Sequence, residues 1–282
     1  MNKLSGSDSG TLEALRIGQD VSAQIAVLQV AVSSFNGFLD DALKPLAPLL
    51  IPTDAGVTHY QNTFFVDNVL ASIKIDFSSF DYDNDGVSEN CSGHTAALPI
   101  CYRIWVGDEK RTAGIFETYP TTDNPGKGRF KGVPIGNIEG LIGVIYDHSD
   151  PLNKTTEIFT GDQPSNDDPQ NLEFSEAGHG LLTQTGEASS AEKTVNFSFE
   201  GSGFIDRQIG RFREDSDFLS FSRDLSGIEQ ESYTAACASI STRIVVENDN
   251  CSAIDVGGIP FVDFLTNDQV LPPDDFPDAP TF

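Results

Sequence analysis

Three aspartates at every second position, Asp81, Asp83 and Asp85, are followed at once by Gly86 in the stretch FDYDNDGVSENC. Carboxylates are hard oxygen donors. Alternate spacing closed by a glycine that tolerates positive φ bends them toward one point, which is what a hard divalent cation such as calcium requires. On that scheme Asp81, Asp83 and Asp85 fill ligand positions one, three and five. The carbonyl of Val87 fills position seven, and Glu89 serves at position nine directly or through a water. The twelfth position is Ser92, which cannot bind in bidentate fashion, and Cys91 stands beside it. The alternative is a plain acidic turn. The complete D-x-D-x-D-G spacing favours a structural calcium ion that braces a loop between strands over one that triggers a change of shape.

Residues 81–92 resemble the DxDxDG loops of EF-hands, dockerins and thrombospondin type 3 repeats, a likeness confined to about a dozen positions. It implies calcium ligation by the aspartates. The flanks differ from an EF-hand, because a strand pattern enters the loop and a cysteine leaves it.

The four cysteines, Cys91, Cys101, Cys237 and Cys251, form two local pairs without a CxxC. Their spacing suits two disulfides, Cys91 with Cys101 and Cys237 with Cys251, and hence an extracytoplasmic setting: secreted, periplasmic or anchored at the cell surface. Asn90, Asn153, Asn196 and Asn250 each head an N-x-S/T triplet. The opening GSDSG resembles the spacer behind the lipidated cysteine of bacterial surface lipoproteins, although that cysteine is absent here. No run of eighteen apolar residues is present, so no transmembrane helix is expected.

Other chemistry has weaker support. The histidines His59, His94, His148 and His179 include no i, i+4 pair, and no G-x-S-x-G elbow accompanies the GHG around His179. Both His94 and His179 read as turn residues. Asp108, Glu117 and Glu200 sit at strand ends, as acids in a glycosidase would, but as most acids in β proteins also do. The segment EGSG at 200–203 reads as a hairpin turn and not as a nucleotide loop. Twenty Phe against one Trp and six Tyr point to a dry core in preference to a sugar-stacking platform.

The elements that must hold the acidic loop come from periodicity. Val21, Ile25, Leu28, Val32, Phe35 and Leu39 recur at helical steps, predicting one long amphipathic helix over 20–44 that packs on a sheet and ends at Pro45. The period then becomes two. Val69, Ala71, Ile73, Ile75 and Phe77 alternate with polar residues, as in a strand with one buried and one wet face. The same alternation marks Ile100–Val106, Val195–Phe199 and Ile240–Val246. Shorter strands are expected near Ile115, Phe130, Ile142, Ile158, Leu172, Leu182 and Phe218. Connections this short leave no room for crossover helices.

The fold class expected is therefore mainly β: an antiparallel meander forming a curved sheet or open barrel, with the N-terminal helix packed on it. The organisation is a flexible linker at 1–19, a single β-rich domain at 20–252, and an extended acidic, proline-rich tail at 253–282. That tail has no basic residue. It is either free or laid across the body, with Phe276 and Phe282 as anchors and the basic stretch from Arg103 to Lys131 as the favoured place. Helix first and then a meander is similar to the element order of periplasmic lipoprotein carriers and lipocalin-like binding proteins.

With 43 acidic and 17 basic residues the formal charge is −26, which repels nucleic acid and anionic lipid and attracts cations and cationic partners. The reading is an exported binding protein, stabilised by calcium and disulfides, that holds an apolar ligand, such as a lipid, or a protein partner. Its alternatives are a surface or matrix adhesion or carbohydrate-binding module, and a hydrolase with a dispersed site.

Overall fold

The computed structural model describes residues 59–66, 69–91, 99–118, 121, 124–133, 140–162, 176–227, 231–263, 270, 273, 276–279 and 281. The helix expected over 20–44 and the strand expected near Leu172 lie outside these residues. The described chain is mainly β. Thirteen strands follow in order: β1 (His59–Val66), β2 (Val69–Asp76), β3 (Ile100–Val106), β4 (Glu109–Thr118), β5 (Lys127–Gly132), β6 (Leu141–Asp150), β7 (Asn153–Gly161), β8 (Ala177–Thr185), β9 (Glu192–Gly201), β10 (Phe204–Arg213), β11 (Phe218–Ser226), β12 (Glu231–Ser239) and β13 (Ile244–Val246). Among the described residues the only helix is a 3-10 helix at Asn248–Ile254.

Backbone contacts divide the described chain into two compact units. One holds residues 59–149, 158–177 and 270–281; the other holds 150–157 and 178–263. The stretch expected as a tail is thus shared, its first part belonging to the second unit and its last part to the first.

In the first unit β1 to β6 pair antiparallel, each with the next, and in the second β9 to β13 do the same. Strand order follows sequence order, and neither meander closes on itself. The reason is local. Turns of two residues return the chain at once, as at Ser202 and Gly203, where Gly203 takes φ +87° with open space around it, so EGSG is the hairpin turn its composition predicts.

One face of β2 to β6 carries Ile73, Ile75, Ile100, Tyr102, Ile104, Phe116, Phe130, Val144 and Tyr146, all buried. The opposite face departs from expectation, because it is not wet. Cys101, Arg103 and Trp105 of β3 are as buried as their neighbours, and Asp76 of β2 is 5 % exposed. Phe80 and Tyr82 from the loop after β2, with Phe276 from the C-terminal segment, cover that face beside Ala113 and Ile115 of β4. Fully covered strands lose the alternation that a one-sided sheet would show.

A second correction concerns 240–246. Residues 240–243 form a turn, and only Ile244–Val246 pair as a strand. Asp217 draws that turn together by accepting bonds from Ser239 Oγ at 2.6 Å, Ser241 N–H at 2.8 Å and Ser241 Oγ at 2.9 Å. Side-chain capture of the backbone here overrides β propensity.

Candidate metal centre

The loop between β2 and β3 is built on the same alternation that made its sequence conspicuous. Phe80 and Tyr82 point inward, at 0 % and 6 % exposure, while Asp81 is half-buried and Asp83 and Asp85 stand in solvent. Asn84 (φ +59°) and Gly86 (φ +84°) adopt left-handed conformations and curl the backbone so that the three aspartates face one another. One oxygen from each of Asp81, Asp83 and Asp85 lies within 4.8 Å of the others. That limit is about twice a calcium–oxygen distance, so a single ion fits in contact with all three.

Main-chain donors preset the geometry. Asp81 Oδ1 accepts from the N–H of Asp85 at 3.1 Å and Oδ2 from that of Gly86 at 2.7 Å. Asp85 Oδ1 accepts from the N–H of Val87 at 2.8 Å, and Val87 stands exposed in the same turn. A carboxylate oxygen has two lone pairs, so accepting one N–H does not by itself exclude a cation. Hard anionic oxygens, no nitrogen or sulfur donor and a small exposed loop fit calcium better than zinc or copper.

Glu89, expected at position nine directly or through a water, is not among the three carboxylates that converge. Its Oε2 accepts from the N–H of Tyr82 at 2.7 Å and its Oε1 pairs with Arg129 at 3.0 Å. The N–H of Glu89 in turn donates to the carbonyl of Phe80 at 3.0 Å, closing the neck of the loop. Burial raises the Glu89 carboxyl above its ordinary value, and the charge of Asp83 adds to this, against the lowering from the Tyr82 N–H and Arg129.

Beneath the loop lies a cationic platform. Arg103 of β3 and Lys131 of β5 are opposite Ala113 of β4 on its two sides, and Cys101 and Arg129 flank Ile115 in the next row. Arg129 and Lys131 approach the Tyr82 ring at 4.5 and 4.8 Å, and Arg103 approaches Phe80 at 5.2 Å. Burial holds the Tyr82 phenol well above its ordinary range despite the Arg129 charge beside it. Arg103 also donates to Asp76 at 2.5 Å and to Ser78 Oγ at 2.6 Å, so the first residues beyond β2 are fixed as well. The sequence marked a basic stretch from Arg103 to Lys131; it did not reveal that three of its six cations, Arg103, Arg129 and Lys131, hold the acidic loop from below.

Cys91 and Cys101 are bridged, with Cα atoms 5.5 Å apart, as are Cys237 and Cys251 at 5.7 Å. The first bridge ties the exit of the loop to β3. Both pairings are those expected from the sequence.

Two of the remaining acidic candidates are in ion pairs. Asp108 pairs with Lys74 at 3.0 Å and Glu117 with Lys127 at 2.8 Å, while Glu200 ends β9 at the surface. His179 and His148 lie on strands β8 and β6, so His179 is not a turn residue. His179 Nε2 meets Glu157 Oε1 at 2.7 Å and its Nδ1 meets the carbonyl of Asp263. Asn196, one of the four N-x-S/T asparagines, is 6 % exposed: its amide donates to the Pro260 carbonyl at 2.8 Å and accepts from the Val262 N–H at 3.1 Å. Ser198 Oγ donates to the Val262 carbonyl at 2.5 Å. Together with His179 these side chains clasp residues 260–263. Asn90, Asn153 and Asn250 are exposed.

No family model, curated protein or solved structure matches the chain.

Proposed function

We propose that this chain is an exported, calcium-braced β protein whose work is binding, with a basic protein surface as its partner. The observation that carries the reading is the convergence of Asp81, Asp83 and Asp85 in a loop whose Phe80, Tyr82 and Glu89 are pinned from beneath. A loop fixed at Phe80, Tyr82, Glu89 and Cys91 has little freedom left for an ion to switch, so calcium would act as a static strut.

Two disulfides are compatible with an extracytoplasmic protein, where calcium is abundant, and among the described residues no helix is long and apolar enough to cross a membrane. The partner's chemistry follows from charge. The cations Arg103, Arg129, Arg223, Lys74, Lys127 and Lys193 are already matched to acids, and 43 acids against 17 bases leave the balance strongly anionic.

Thermal unfolding with calcium and with chelator tests the strut. Calcium at one hundred times its dissociation constant adds about 2.7 kcal/mol, which for a chain of this size is a rise in Tm on the order of 5–10 °C. The double variant D83N/D85N is expected to melt at one temperature in both conditions. A calcium-dependent Tm that survives in D83N/D85N places the ion elsewhere and removes the reading.

A further inference from the structure

Phe276 of the C-terminal segment seats in a slot on β3 and β4. Trp105 on β3 and Lys110 on β4 are directly opposed across the hairpin, next to the irregularity between Ile104 and Trp105. Between them sits the ring of Phe276, edge-on to the indole with centroids 5.0 Å apart and with Lys110 Nζ 5.8 Å from its centre. The indole Nε1 donates to the carbonyl of Pro277 at 3.2 Å. Phe276 is 3 % exposed, Ala279 packs at the rim, and the N–H of Phe276 donates to the Pro273 carbonyl at 3.1 Å, turning the segment so that its ring enters.

These contacts read a short sequence in three ways. The apolar floor of Ala113 and Ile115 accepts an aromatic ring, the indole N–H requires a free carbonyl immediately after it, and Lys110 favours an aromatic face with acidic neighbours. Pro277 has no N–H to give to a sheet ladder, and its carbonyl is taken by the indole. Residues 271–282 supply Asp274, Asp275 and Asp278 and no base, against Lys110 and Arg111 on the receiving strand. Residues 276–279 form no strand, so side chains and one carbonyl hold them in place of a backbone ladder.

We infer that this slot is a receptor for the Phe276–Ala279 segment that a second copy of the chain can fill in trans, so that exchange of C-terminal segments links copies. The receptor surface and its ligand are both present in every copy, and exchange conserves each contact named above. The occupant is specified by complementarity of charge and shape to the one sequence already seated there.

Trp105 is the only tryptophan of the chain, so its emission reads the slot directly. In the full chain, F276A is expected to shift that emission to the red by uncovering the indole. A synthetic peptide of residues 271–282 should reverse the shift saturably, while the same peptide with Phe276→Ala should not. A W105F chain, which has no tryptophan and an intact C-terminal segment, should also restore the blue emission of F276A and sediment with it as a larger species. F276L, which keeps an apolar side chain, replaces F276A if the alanine variant loses its sheet by circular dichroism. In the wild-type chain the resident segment competes, so the labelled peptide should bind several-fold more weakly than to the variant. Emission that stays red with both peptide and donor chain overturns the slot. Recovery with peptide but not with the donor chain overturns exchange between copies.

Discussion

The two disulfide-stapled corners of this chain treat their aspartates in opposite ways. At Cys237–Cys251 the organising acid is Asp217, and Ser239 and Ser241 between them give its carboxylate three hydrogen bonds. At Cys91–Cys101 Asp81 accepts from the amides of Asp85 and Gly86 and Asp85 from that of Val87, all within one loop, and Asp83 has no hydrogen bond among the described residues. Three carboxylates are there drawn to within 4.8 Å of one another. A carboxylate saturated by protein donors is a turn element. Carboxylates gathered in one loop are the arrangement that the proposed calcium strut requires. The Cys237 corner has an apolar floor, with Ile254, Phe218 and Val246 around the bridge, whereas the Cys91 corner rests on Arg129, Lys131 and Arg103.

The strongest way to break this contrast is to remove each bridge. C91S/C101S and C237S/C251S should each lose about 3 kcal/mol in urea unfolding, since the closed loops are of similar length. Only C91S/C101S should also lose part of the stabilisation that calcium brings, because only that bridge anchors the aspartate loop. Equal calcium responses from the two variants would mean that the corners do not differ. A smaller effect is expected of R129M, which leaves Glu89 without its cation and Tyr82 without one of its two. A loss of about 1–2 kcal/mol, measured in chelator so that the ion does not compensate, fits a half-buried charge-assisted bond. No loss would show the platform to be incidental.

The smallest effect belongs to Asp217, whose carboxyl is held below its ordinary value, by the Ser239 hydroxyl first and then by Ser241. A depressed folded pKa contributes stability above the unfolded value of about 3.9, and that stability is lost as pH falls through the folded value. The wild type should therefore exceed D217N in Tm at neutral pH, with the gap closing below about pH 4. A gap that persists in acid would assign it to packing and not to the charge.

Much of this was readable in the sequence. The aspartate spacing gave the converging carboxylates, the cysteine spacing gave both bridges, and alternation located β2, β3 and β9. What failed did so for one physical reason, that partners distant in sequence decide what a polar residue does. Nothing near Glu89 reveals that Arg129, forty residues on, and the Tyr82 N–H bind its two oxygens. β10 carries Asp206, Arg207 and Gln208 in its middle and gave no strand signal. Arg223 of β11 neutralises Asp206 at 2.9 Å, and Gln208 is buried with its amide on the same carboxylate. Nothing local to the Asn196 triplet reveals that residues 260–262 lie over it.

The bond from the Trp105 indole to Pro277 spans 172 residues, while the strand pairs of each meander join near neighbours. On a ribosome adding about 5–20 residues per second, β3 and β4 can pair roughly 10–30 seconds before Phe276 exists. For that interval the aromatic floor over Ala113 and Ile115 lacks its lid. Seating of Phe276 is therefore a late event in the life of each new chain, and Trp105 emission would time it.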